Sequence, residues 1–183
     1  MHLLYGDKNC SSIGRKGARG PGAGWETVLD LGCGLGPCGF AAAFRAAQVT
    51  FLDRESSAIE IVAASALQQA IAGSQFECVV ADWREPTALP RFDLILGSDV
   101  LYEESGISPL AAFLAAHLKR DADAWIADPG RPCLGLFFDV LQENGLQVRG
   151  HEPCPHTIRT NRESASSGWA VPLSPPRGRG SEG

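Results

Sequence analysis

Five aspartates stand where short apolar runs end: Asp30, Asp53, Asp82, Asp99 and Asp128. Glycine at every second position follows the first of them, in the frame Asp30-x-Gly32-x-Gly34-x-Gly36. A loop without Cβ atoms lets a ligand approach the backbone closely. The Ala-rich segment behind it offers a helix N-terminus to the same ligand. Gly34-x-Gly36-x-x-Gly39 also matches the pyrophosphate cradle of dinucleotide folds. Asp30 argues against that ligand, because a carboxylate aimed into the loop repels a pyrophosphate and suits an ammonium or sulfonium group. Ser98-Asp99-Val-Leu-Tyr102 sets a carboxylate and a phenol three positions apart at another strand end. The two can converge on a bound amine, the carboxylate orienting it or taking its proton and the phenol hydrogen-bonding to it or walling it in. An amine attacks carbon only when neutral, so a nearby carboxylate in a dry pocket is useful to it.

Asp53 is placed to accept hydrogen bonds from both hydroxyls of a ribose, whichever nucleoside the loop holds. Asp82 can accept from an adenine amine, and Trp83 offers it a flat packing surface. Any one of these acids has a plain structural alternative as a helix cap or solvated loop residue. Five in register at one edge of one sheet are harder to explain that way.

The elements that position them follow from pattern. Val28–Leu31, Val49–Asp53, Gln75–Val80, Phe92–Gly97 and Ala122–Ala127 read as strands, and 39–47, 56–72, 109–118 and 134–143 read as helices. Leu146–Gly150 and Gly168–Leu173 form a possible closing antiparallel pair. Alternation of this kind predicts an α/β fold, a mostly parallel sheet with helices on both faces. Its ligands bind outside the carboxyl ends of the strands. The expected organisation is a disordered tail over 1–24, one domain over 25–173 and a second disordered tail over 174–183.

The chain has 183 residues, enough for one sizeable core, and its net charge of −5 disfavours non-specific nucleic-acid binding. No apolar run reaches membrane-spanning length and no secretory signal pattern opens the chain. Six cysteines without a C-x-x-C pair read as reduced and mostly buried, which predicts a cytoplasmic protein. His151-Glu-Pro-Cys154-Pro-His156 is short of a fourth ligand and stiffened by prolines, so no metal site is expected. There is no G-x-S-x-G nucleophile elbow.

The Asp30-x-Gly32-x-Gly34-x-Gly36 frame resembles motif I of class I S-adenosylmethionine-dependent methyltransferases. With 49–53, Ala81-Asp-Trp-Arg84, 92–103 and Ala127-Asp-Pro-Gly-Arg131 added, residues 26–150 resemble the seven-β-strand protein-lysine methyltransferases. Asp99-x-x-Tyr102 matches that branch's D-x-x-Y motif, and Asp128-Pro-Gly-Arg131 is similar to the electron-transfer-flavoprotein β-subunit lysine methyltransferases. The resemblance implies a Rossmann-like, doubly wound sheet of seven strands and S-adenosylmethionine as cofactor. It implies a methyl acceptor that is a nitrogen, in first place a protein lysine. Asp30, Gly32, Gly34, Gly36, Asp53, Asp82, Trp83 and Ser98 match the cofactor site, and Asp99 and Tyr102 the site of transfer. The family usually carries an aromatic-rich segment before motif I, whereas 24 Gly-rich and basic residues precede Trp25 here. The expectation is a shortened N-terminus and a more open cofactor pocket. A cofactor-binding protein without turnover and a methyltransferase of a small amine stand as alternatives.

Overall fold

A computed structural model describes residues 25–69, 71–73, 75–129, 131–148, 152–153 and 169–174. The expected tail over 1–24 and all but the first residue of the expected tail over 174–183 lie outside them, as do His151, Cys154 and His156. Ser174, expected in the tail, ends the last strand.

The elements run β1 (Trp25–Leu31), α1 (Pro37–Ala43), β2 (Ala46–Asp53), α2 (Ser56–Gln68), β3 (Phe76–Val80) and β4 (Phe92–Ser98). A 3₁₀ turn (Glu104–Gly106) leads into α3 (Ile107–His117), β5 (Leu118–Asp128) and α4 (Cys133–Glu143). Three short strands follow: β6 (Gln147–Val148), β7 (Glu152–Pro153) and β8 (Trp169–Ser174). They form one sheet in the order β3-β2-β1-β4-β5-β8-β6, with β7 beside β8 and off this path. The first five strands are parallel. β8 pairs antiparallel with both β5 and β6, so the expected closing pair is present. The fold is the mostly parallel, Rossmann-like α/β sheet that the pattern predicts.

Both faces of the sheet are covered, which is why the central strands read as continuous apolar runs. Val28, Val49, Phe51 and Leu94 pack under α1 and α2 with Ala42, Ile59 and Val62. Leu29, Leu31, Ile95 and Ile126 pack on the other face with Leu110 and Leu114 of α3 and Phe137 and Leu141 of α4. Alternation along β1 therefore puts Asp30 on the α1 side, two residues beyond Val28. The chain leaves β1 for β2 on one side and later returns to β4 on the other. The carboxyl ends of β1 and β4 are thus the switch point, where an open α/β sheet leaves a crevice.

Boundaries differ where pairing overrides local preference. Ala46 and Ala47, expected in a helix, belong to β2, because Ala46 is held opposite Trp25 in the parallel ladder. α2 stops at Gln68 rather than at 72. β5 starts at Leu118, four residues before the expected Ala122, across a register shift opposite Phe92 and Leu94. At that amino edge Asp93, which is 4% exposed, accepts from the Thr27 N–H at 3.1 Å and from Lys119 Nζ at 2.9 Å. This polar cluster ties β1, β4 and β5 together at the edge opposite the crevice.

Candidate functional site

The loop after β1 is built on left-handed glycines: Gly32, Gly34 and Gly36 have φ of 64°, 53° and 78°. Gly36 packs inward, and a Cβ there would meet Phe40 at 2.9 Å and Phe51 and Val62 at 3.1 Å. Gly34 faces the other way, and a Cβ on it would find nothing within 4 Å. The loop therefore presents bare backbone to open space at Gly34, as a cradle for a ligand requires.

Asp30 does not point into that space. It is 2% exposed and accepts the Gly39 N–H at 2.7 Å, capping the first turn of α1 from beneath. The expected counter-charge to a cationic ligand is thus a buried brace between β1 and α1, and one N–H of the helix start is taken by Asp30 rather than by the ligand. Burial pushes its carboxyl from 3.8 up to about 7, with the Gly39 bond opposing and the Asp53 charge adding. The folded chain then binds more protons than the unfolded chain between those values. Stability falls as pH rises through that window, by on the order of 4 kcal/mol in all. Asp30→Asn removes the titration and keeps an acceptor for Gly39. In urea unfolding without ligand, the variant is more stable than the parent at pH 8, and its advantage shrinks toward pH 5. An advantage that is absent or independent of pH refutes the buried titration.

Asp53 is partly exposed at the end of β2. It accepts the Gly34 N–H at 2.9 Å on one oxygen and the Glu55 N–H at 3.0 Å on the other. It thereby joins the glycine loop to the start of α2, and each oxygen keeps a lone pair for a further donor. Asp82 follows β3, where Arg84 grips it through Nε at 3.0 Å and Nη2 at 2.5 Å. That guanidinium holds the Asp82 carboxyl below the usual range. Trp83, expected as an open platform, is 9% exposed and packs in the core beside Gly32 and Val100. Its Nε1 is buried without a hydrogen-bond partner. Trp83 forms the floor of a shallow recess with Tyr102, Glu103 and Gly106 rather than its exposed wall.

Ser98 and Asp99 are exposed at the end of β4. Among the described residues, Asp99 is the one non-glycine with positive φ, 67°. Its N–H bonds to the Ala127 carbonyl at 2.9 Å, and its carboxylate pairs with Nη1 of Arg131. Arg131 is held in turn by Asp128, through its N–H at 2.7 Å and Nη1 at 3.1 Å. Val100 and Leu101 then enter the core. That leaves Tyr102 at the surface, 42% exposed, with its ring set edge-on to Trp83 at 6.4 Å. The Arg54 guanidinium lies 5.9 Å from the centre of the Tyr102 ring.

Gly34 is hydrogen-bonded to Asp53, and Arg54, next in the chain, lies by the ring of Tyr102, which stands edge-on to Trp83. Arg54 and Arg131 were not singled out by sequence reasoning for roles in this site. Arg131 stands in a quoted motif, but nothing in the chain announces that its partner is Asp99, 32 residues away. Two thiols complete the loop. Burial pushes Cys33 up to about 12 and Cys38 up to about 11, and the Asp30 charge adds to both. Among the described residues, no group of three or more side chains is arranged to hold a metal ion. No described helix is long and apolar enough to cross a membrane.

This sheet order and glycine loop define the fold of the S-adenosylmethionine-dependent methyltransferases. The solved structure of the N-methyltransferase NodS from Bradyrhizobium japonicum WM9 with S-adenosyl-L-homocysteine superposes with a TM-score of 0.70 at 14% identity, over 84% of this chain and 80% of that one. A TehB-like S-adenosylmethionine-dependent methyltransferase from Corynebacterium glutamicum gives 0.66 at 20% identity, over 92% and 94%. The ribosomal protein L11 methylase of Lactobacillus delbrueckii subsp. bulgaricus gives 0.67 at 18%, over 84% and 71%. No curated protein matches by sequence. The lysine methyltransferase family profile matches residues 15–131. The chain belongs to the lysine methyltransferase family, whose methyl donor is S-adenosylmethionine.

Proposed function

We propose that the protein transfers a methyl group from S-adenosylmethionine to the side-chain nitrogen of a protein lysine, as an enzyme of the branch that includes the electron-transfer-flavoprotein β-subunit lysine methyltransferases. The observation that carries the reading is the placement of Asp99 and Tyr102 at the end of β4, the strand paired with β1. In a family profiled for lysine, that is where an acceptor would meet a donor held by the β1 loop. The bare backbone at Gly34 and the free lone pairs of Asp53 fit a nucleoside with a short polar tail.

In this reading Gly32, Gly34 and Gly36 let the methionine part lie against the loop, Asp53 takes the ribose hydroxyls, and Asp82 with the backbone beside Trp83 takes the adenine. Ser98 borders the sulfonium. When bound, the cofactor supplies an electrophilic methyl on a sulfonium sulfur. A neutral lysine nitrogen held by these residues would take that methyl, the electron pair of the broken C–S bond staying on sulfur and the nitrogen's proton leaving to solvent. Asp99, whose carboxylate is paired with Arg131, orients the amine by accepting its N–H. Tyr102 walls the approach. Positioning of this kind is most of what a direct displacement asks of a protein.

The test joins calorimetry with S-adenosylhomocysteine to tritium transfer from labelled S-adenosylmethionine into cell-extract protein, with the modified residue identified by mass spectrometry. Asp99→Ala lowers transfer to lysine about a hundredfold and leaves S-adenosylhomocysteine binding within about threefold. Binding without any labelled lysine sinks the lysine assignment. Full transfer by Asp99→Ala removes Asp99 from the site.

A further inference from the structure

Asp99 has two unusual properties at once. Its backbone sits in the left-handed region, which L side chains seldom adopt. Its side chain is 63% exposed, yet it is tied to Arg131. An exposed carboxylate on a flexible partner gains little from such a pair. Arg131 is held at two points. Its backbone N–H is fixed on one oxygen of Asp128 and its Nη1 on the other. The Asp128 side chain is 1% exposed at the end of β5. The order therefore runs outward from a buried anchor, through a guanidinium with planar, directional donors, to the carboxylate exposed at the end of β4.

We propose that Arg131 is a positioning residue for methyl transfer: clamped by Asp128, it fixes the direction of the Asp99 carboxylate, so that one oxygen stays bound to Nη1 and the other is presented to the incoming amine. The proposal rests on the reading of Asp99 given above. Its physical basis is separate, because a brace for the β5–α4 loop would need only the Arg131–Asp128 contacts and not the one to Asp99. The strained backbone of Asp99 and its Ala127 bond set where the carboxylate starts; Arg131 sets where it ends.

The test uses the full chain and two readouts. The first is guanidinium ¹⁵N NMR without any acceptor. Asp99→Asn shifts the Arg131 Nη signals and speeds rotation about its Cζ–Nε bond, while the Arg131 backbone amide, held by Asp128, stays in place. Unchanged Nη signals in Asp99→Asn would show that the clamp does not reach Asp99 and would overturn the proposal whatever the enzyme acts on. The second is the initial rate of tritium transfer to protein lysine in a fixed cell extract. Arg131→Met lowers the rate at least tenfold at saturating S-adenosylmethionine, assayed at a temperature where the variant stays folded, with S-adenosylhomocysteine affinity near that of the parent; its melting temperature falls, because the buried Asp128 loses its guanidinium partner. Arg131→Lys, which keeps the charge and loses the fork, recovers part of the rate. A parental rate in Arg131→Met, or a loss that follows cofactor affinity in equal measure, assigns Arg131 to the loop alone. If the parent labels no lysine, the proposed function falls, while the NMR result still decides whether Arg131 directs Asp99.

Discussion

Asp53→Ala lowers the affinity for S-adenosylhomocysteine at least a hundredfold, a loss of about 2.7 kcal/mol, in a protein that remains folded. Two separate contributions give that size. The carboxylate holds the glycine loop through Gly34 N–H and the start of α2 through Glu55 N–H, so the variant loosens the cradle itself. In the proposed function it also removes the charged acceptor for the ribose hydroxyls, and hydrogen bonds to a charged group contribute about 1.5–3 kcal/mol each. The stability cost is smaller, about 1 kcal/mol, since what is lost is one loop bond and one bond at a helix start, both at a partly exposed carboxylate. Calorimetry beside a melting curve separates the two. Parental affinity in the folded variant would mean that the ribose is held elsewhere.

Gly39→Ala destabilises the fold by about 3 kcal/mol or more, although alanine is the better helix former. Propensity favours the change by up to about 1 kcal/mol. Sterics oppose it: a Cβ on Gly39 would lie 2.2 Å from one ring carbon of Phe51, 2.8 Å from the next and 2.9 Å from Oδ2 of Asp30. Phe51 is fully buried in a central strand and cannot retreat. Overpacking of a closed core costs about 1–3 kcal/mol and occasionally more, and here the bond from Gly39 to Asp30 is strained as well. The melting temperature falls by roughly 10 °C, from about 2–4 °C per kcal/mol at this chain length. An unchanged melting temperature would show that β2 and α1 move apart freely, against the close packing described.

Much of this was legible because the signals were redundant. The central strands are apolar on both faces, so Val28–Leu31 and Phe92–Gly97 were found from composition alone. Glycine at alternate positions behind Asp30 announced a Gly-rich turn between strand and helix; its left-handed backbone came from the structure. Residues with weak preferences were not legible: Ala46 and Ala47 take the structure of the ladder they join. The charged start of β5 hid a strand because its amino end lies at the solvated edge. The site divided in the same way. Asp53, Ser98 and Asp99 could be placed by where strands end. The inward turn of Asp30 and the burial of Trp83 depend on packing, which the local sequence does not encode. The pairing of Asp99 with Arg131 depends on two strand ends that meet only after the sheet has formed.

The protonated thiol of Cys33 makes the cofactor loop its own chemical clock. A thiol alkylates as its thiolate. Cys33 is 5% exposed with its ionisation pushed up to about 12, so the closed loop is nearly inert to iodoacetamide. Each reaction at this sulfur records an excursion in which the glycine loop lifts off β2 and the thiol meets water at its ordinary acidity. A ligand that seats on the loop lengthens the interval between such events. A small neutral reagent that reacts with the exposed thiolate thus measures how often the cradle opens, with no acceptor and no turnover required.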